Sequence, residues 1–342
     1  MAWRHPRLLN IFDRILSMLE IGRSQQRAIR ISFAAGVIIL LFKFVAYYAT
    51  NSAALLSDAL ESIINVIASA FAMWSIHLAK TPPDANHPYG HGKVEYFSAL
   101  LEGVLIIIAA GCILYTAFPK ILEPEELTRL DYGLLVSVVA SAMNLALGLF
   151  LIRQGRSTNS ITLVADGKHV LTDVYTTAGV LIGLAVVLLT NWLWMDGLIA
   201  CIVAINILWT GYGLARESVK GLMNEADHTL VKEICTLLNS NRRSEWISVH
   251  KLRAWRAGRF IHIDFHLVLP KQLSFEEAHS VVADLESLFG RKYDGVAEVM
   301  IRTDMCDYDF CSMCYYEKCK EVGAKTPQNP WDEQVLCSDF NK

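Results

Sequence analysis

Two segments of hydrocarbon length carry acidic and imidazole groups at helical spacing, and this constrains the chain more than any other feature. In NSAALLSDALESIINVIAS, Asp58, Glu61, Ser62 and Asn65 recur at i, i+3, i+4 and i+7, so a helix gathers them into one stripe. In SITLVADGKHVLTDVYTT, Asp166, His169 and Asp173 have the same phasing. A single Asp at the bilayer centre costs about 2.5 to 3.5 kcal/mol on translocon scales, so several on two helices require mutual pairing, an aqueous cavity or a bound cation. A polar contact that merely fixes helix packing is the competing reading, but such contacts are usually made by Ser, Thr, Asn or Gln. Carboxylates and an imidazole at ligand spacing suit a divalent transition metal instead.

Hydropathy supplies six candidate membrane spans, near residues 29–49, 52–78, 97–118, 132–152, 161–189 and 193–214. Each has the roughly 20 residues needed to cross about 30 Å of hydrocarbon at about 1.5 Å per residue. The composition agrees: 53% of the 342 residues are hydrophobic and 19% charged, which is too apolar for one water-soluble domain. The net charge of −3 offers no reason to expect nucleic acid as a partner. Arg4, Arg7, Arg14, Arg23, Arg27 and Arg30 precede span 1, Lys80 and Lys93 follow span 2, and Arg153 and Arg156 follow span 4. Only Lys120 and Arg129 lie on the other side. This bias predicts a multi-pass protein of the cell's inner membrane with both termini and the 79–96 loop in the cytoplasm. Residues 1–28 read as an amphipathic helix lying on the lipid surface, not as a cleaved signal. Lys43 and Asp196 are expected to snorkel or cap near an interface, and Glu102 and Asn144 to bond between helices or, second, to line a pathway.

Between spans 2 and 3, TPPDANHPYGHGKVEYFS holds Asp84, His87 and His91 in a short loop punctuated by Pro and Gly, where they can converge on one cation. Beyond residue 214 the pattern turns polar. Residues 215–305 read as helix, strand, strand, helix, strand, an αββαβ domain of the α+β class. Ser274 and Glu277 mark a capping box at the second helix. Residues 306–342 form a Cys-rich tail in which Cys306, Cys311, Cys314 and Cys319 are separated by four, two and four residues. In a reducing compartment this spacing favours a metal over disulfides. A structural zinc held by four thiolates is the leading reading, beside an iron–sulfur or soft-metal sensing centre and unligated cysteines.

SDALES in span 2, HPYGHGKVE after it and ADGKHVLTD in span 5 together resemble the cation diffusion facilitators, or cation efflux proteins, over residues 30 to about 305. The resemblance implies a homodimeric exporter that exchanges a cytoplasmic divalent metal for protons. Its fold would be an α-helical membrane protein of six transmembrane helices plus a cytoplasmic ferredoxin-like domain. It implies a transport site at Asp58, Ser62, His169 and Asp173, a loop site at Asp84, His87 and His91, and cytoplasmic ligands at His250, His279 and Asp304. Three positions depart from the family pattern. Ser62 replaces a second carboxylate, so Asn65, Glu61 or water can complete the site; Glu61 lies about 60° off the Asp58 direction, which ranks Asn65 ahead of it. Manganese and ferrous iron join zinc as cargo on that account. Asn224 replaces a carboxylate that would pair with the loop lysine, leaving Glu225 for Lys93. Arg302 replaces a histidine of the cytoplasmic site. The expectation is a metal-efflux transporter and not an enzyme. A membrane metalloenzyme lacks any HExxH or GxGD-like signature here, and a non-transporting metal sensor or scaffold is the alternative.

Overall fold

Long apolar runs in hydrocarbon can satisfy their backbone groups only as helices or closed barrels, and here they are helices. The computed structural model describes residues 6–50, 53–123, 132–190, 192, 194–258, 260–293, 295–307, 310–311, 314–317, 319 and 330–338. Side chains before Arg23, at residues 53–61 and at scattered helical positions lie outside the description. Six helices build the membrane domain: α1 (Pro6–Thr50), α2 (Ala53–Leu78), α3 (Val94–Leu122), α4 (Tyr132–Ser157), α5 (Ile161–Thr190) and α6 (Trp194–Leu222). Among the described residues, Arg23–Val45, Val94–Pro119, Val138–Ser157 and Gly197–Leu222 are apolar and long enough to span on their own. The remaining two helices, α2 and α5, are those with the polar stripes. The polar pattern that begins after residue 214 starts inside α6, whose last turns carry Arg216, Glu217 and Lys220, and the chain divides between Met223 and Asn224.

The closest helix pairs are α3 with α6 and α4 with α5, and glycine makes both possible. A Cβ on Gly103 would lie 2.9 Å from the Ala215 amide nitrogen. One on Gly167 would lie 2.8 Å from Ile152 Cγ1 and 3.0 Å from the Gly148 carbonyl. Membrane helices, which gain little from hydrophobic burial against each other, associate through such close backbone approach. Lys43, expected at an interface, is instead buried at 3% exposure. Trp74 and Trp192 are more than half exposed, as interface anchors would be.

The C-terminal domain has the anticipated order: α7 (His228–Ser240), β1 (Ser248–Ala257), β2 (Phe260–Leu269), α8 (Phe275–Lys292) and β3 (Ala297–Met305). The sheet order is β1-β2-β3, antiparallel in the first pair and parallel in the second. The apolar stripes of α7 (Leu230, Ile234, Leu238) and α8 (Val281, Leu285, Phe289) share one core with Phe265 and Leu267 of β2. Ser274 and Glu277 form the expected capping box. Described residues beyond 305 join the domain core. Trp331, and Leu336 on the short helix α9 (Glu333–Cys337), belong to this core. Asn239 exchanges two hydrogen bonds with the Trp331 backbone, and the Arg242 guanidinium lies 4.0 Å from the Trp331 ring centroid.

Asp227 caps α7, accepting from the amides of Thr229 (3.0 Å) and Leu230 (3.1 Å) while pairing with Arg256 Nε at 2.8 Å. Partial burial raises its pKa, but Arg256 and the two amides outweigh burial, so the carboxyl titrates below its ordinary range. A depressed folded-state value stabilises above the unfolded pKa and is lost as pH falls through the folded one. Asp227→Ala should therefore cost about 1 to 2 kcal/mol at neutral pH. Hydrogen exchange of the α7 amides checks this: the gap between parent and variant should shrink on acidification below pH ~4.

Candidate metal sites

The stripe on α2 and the stripe on α5 meet. Asn65 Nδ2 donates to Asp173 Oδ2 at 2.7 Å, and Asn65 Oδ1 lies 2.8 Å from His169 Nε2, so one amide ties both α5 groups to α2. Asn144 of α4 donates to the same Asp173 oxygen at 3.3 Å. Ser62, Asn65, Asn144 and Asp173 line a cavity of about 20 Å³, room for one water-sized particle. Asp58 and Glu61 have side chains outside the described residues, so the described part of the site consists of Ser62, Asn65, His169 and Asp173.

Two further acids in these helices divide differently. Asp166, one turn before His169, accepts from Ser32 of α1 (2.6 Å) and Ser69 of α2 (2.8 Å), and so bolts three helices together beside the site. Glu102 of α3 is 1% exposed and places Oε2 3.6 Å from His169 Nδ1. Among the described residues, neither Glu102 oxygen nor His169 Nδ1 has a hydrogen-bond partner. A carboxylate facing one imidazole nitrogen helps orient the ring; the other, Nε2, is engaged by Asn65 Oδ1, so a metal binding there has to displace that amide oxygen. Sequence reading ranked Glu102 as packing glue, because an isolated acid in an apolar run carries no phase information about which helix it meets.

In the 79–96 loop, Asp84, His87 and His91 have ligand atoms all within 4.8 Å of one another. The loop shapes itself around Asp84: Oδ1 accepts from the amides of Asn86 (2.9 Å) and His87 (2.7 Å), and Gly90, at φ +79°, closes a turn back to the His87 carbonyl. The His87 amide, chiefly, holds the Asp84 carboxyl below its usual pKa, keeping it anionic and able to ligate. The Lys93 Nζ donates to the Leu222 carbonyl at 3.4 Å.

In the C-terminal domain the second group with ligand atoms within 4.8 Å is His250, His266 and Asp304. Antiparallel register sets His250 opposite His266, and Asp304 Oδ2 lies 2.8 Å from His266 Nδ1 and 3.7 Å from His250 Nε2. His279 does not join them. It is exposed on α8, stacked on Phe275. His266 was missed because its partner is chosen by strand register, although the alternation in FIHIDFHLVL contains the signal. Arg302, standing where a ligand was expected, puts Nε 3.2 Å from the other oxygen of Asp304. That oxygen already has a cation, so the residues present fit one metal better than two. Beyond β3, Cys306, Cys311, Cys314 and Cys319 line a single small cavity.

The model of the cation efflux transmembrane domain matches residues 29–223, and that of the cation efflux protein cytoplasmic domain matches residues 226–306. The chain belongs to the cation efflux family. This cation efflux protein is 36% identical to an uncharacterized transporter of Synechocystis over 78% of its own length and 86% of the relative's. It is 33% identical to the cation-efflux pump FieF of Shewanella oneidensis, over 81% and 93% of the two chains. It is 25% identical to a cadmium, cobalt and zinc/H(+)-K(+) antiporter of Bacillus velezensis, over 83% and 90%. The three N/O-donor sites of the cation efflux protein lie inside the matched regions, whereas all the tail cysteines after Cys306 lie outside them.

Proposed function

We propose that this protein is a homodimeric exporter in the cell's inner membrane, with both termini cytoplasmic, that carries a divalent metal outward in exchange for protons. The cargo is Zn²⁺, with Mn²⁺ and Fe²⁺ as the other first-row candidates. One observation carries this reading: the Asn65 amide joins His169 and Asp173 across two helices beside a small cavity in the membrane domain. The transport site consists of Asp58, Ser62, His169 and Asp173, with Asn65 as the substitute ligand. Metal binding at such groups requires them to be deprotonated, so cargo and protons exclude each other. Rocking of the helices that hold the site exposes it to either face in turn. The antiporter name of the Bacillus velezensis relative supports proton exchange, and the dimer rests on the matched cytoplasmic-domain model. The loop group and the His250, His266 and Asp304 group are the cytoplasmic-side metal sites.

Ser62 controls the cargo. A hydroxyl is a poor zinc ligand, and a site short of one charged donor discriminates weakly between a tetrahedral ion and ions that favour higher coordination. Uptake of Zn²⁺, Mn²⁺, Fe²⁺, Co²⁺ and Cd²⁺ into inverted vesicles tests both claims. Ser62→Asp should shift the Zn²⁺ to Mn²⁺ uptake ratio about tenfold toward zinc, the equivalent of about 1.4 kcal/mol. An unchanged ratio removes Ser62 from the site. Absence of uptake of every metal by the parent protein removes the exporter reading and leaves a non-transporting sensor.

A further inference from the structure

The segment just past β3 carries chemistry that metal export does not use. We propose that Cys306, Cys311, Cys314 and Cys319 form a resident four-thiolate site for a zinc-like d¹⁰ dication, which pins residues 306–319 to the turn between β2 and α8.

Three observations converge on it. First, the four cysteines, spread over fourteen sequence positions, line one cavity together with Lys271, Asp307 and Phe310, with no three of their sulfurs yet within 4.8 Å of one another, so an ion has to draw them in. Second, three main-chain turns accompany the cysteines: the Phe310 amide bonds the Asp307 carbonyl, the Cys314 amide the Cys311 carbonyl and the Cys319 amide the Tyr316 carbonyl. The second turn spans a Cys-x-x-Cys, the spacing by which two adjacent thiolates reach one ion. Third, two sulfurs accept hydrogen bonds from the β2–α8 turn. The Lys271 amide donates to Cys306 Sγ and Gln272 Nε2 donates to Cys319 Sγ, each at 3.4 Å. N–H donors aimed at sulfur are the outer shell that holds and tunes thiolate ligands. The lining itself leaves the net charge of about −2 that four thiolates around a dication carry, since Lys271 and Asp307 offset each other there.

Cysteines acting as small apolar residues would explain the packing of Cys314 beside Ile247, Val268, Phe310 and Tyr316. They would not explain two polar donors directed at two of the sulfurs, nor all four lining one space. No disulfide joins any of the described cysteines, as thiols on the cytoplasmic side require. The softer, all-sulfur donor set also separates this centre from the three N/O sites, so its ion is a fixed component and not cargo.

Cobalt substitution of the reduced, detergent-purified full-length protein tests the site, because only thiolate ligation gives an intense near-ultraviolet sulfur-to-cobalt charge-transfer band; the N/O sites do not. The parent should show this band at about one ion per chain, with four-thiolate intensity. Asp173→Ala and Cys337→Ser should retain it. The variant with all four cysteines changed to Ser should lose it, and should also lose about one zinc per chain by elemental analysis. Cys311→Ser, at a partly exposed position, keeps the test valid if the fourfold variant fails to fold: it should weaken and shift the band. Chelation should raise hydrogen exchange across residues 306–319 in the parent. A cobalt-loaded parent without the band, a Cys311→Ser spectrum identical to the parent's, or iron–sulfur absorption in the protein as purified would overturn the proposal.

Discussion

Asp173→Ala is expected to abolish metal-dependent proton flux in vesicles and to lower metal uptake on the order of a hundredfold or more, while the protein should still insert and elute as the parent does. The magnitude follows from position: loss of an outer-shell partner alone typically costs 10- to 100-fold in metal affinity, and Asp173 is proposed as a direct ligand. Its Oδ2 accepts from both Asn65 and Asn144, so it also sets the orientation of the amide that faces His169. The informative comparison is Asp173→Asn. If the carboxylate were only packing glue, the isosteric amide would preserve most contacts and most activity. If it ligates cargo, Asn should fail nearly as badly as Ala, because the negative charge is gone. Flux at the parent level in Asp173→Ala vesicles would remove the transport site as drawn.

Gly167→Val has a comparably large effect for a steric reason. A Cβ there would lie 2.8 Å from Ile152 Cγ1, 3.0 Å from the Ile152 amide nitrogen and 3.0 Å from the Gly148 carbonyl. Two of those three atoms are backbone and cannot rotate away, so α4 and α5 must separate. Overpacking of this kind costs about 1 to 3 kcal/mol, occasionally more. Gly167 is the second residue before His169, so separation moves His169 from Asn65 and Asp173 from Asn144. Thermal denaturation in detergent should show Tm falling by several degrees, at about 2 to 4 °C per kcal/mol for a domain of this size, with uptake lost in proportion. Gly111→Val is the control: nothing lies within 4 Å of a Cβ placed there. Equal losses for the two variants would mean that helix propensity, not the α4–α5 contact, sets the cost.

Much of this protein is periodic, and what is periodic can be read before folding. Spacing by three and four placed Ser62 with Asn65 and His169 with Asp173, and alternation placed β1, β2 and β3 in their order. Neither rule says what a stripe faces. That Asn65 links His169 to Asp173 is set by how α2 and α5 are rotated against each other. That Glu102 belongs with His169 while Asp166 belongs with Ser32 and Ser69 depends on which helix lies beside which. That His266 stands opposite His250 is a matter of strand register, which no local pattern specifies until β1 pairs with β2.

The sequence by itself determined the six apolar helices, the αββαβ order, and the residue types able to hold a metal, because hydropathy and side-chain period are properties of the chain alone. Tertiary structure alone decided which of those residues share a site, and that Trp331 and Leu336 seal the domain core. The physical reason is range: periodicity orients a side chain relative to its own helix or strand, whereas ligands must meet within a few ångströms across separate elements.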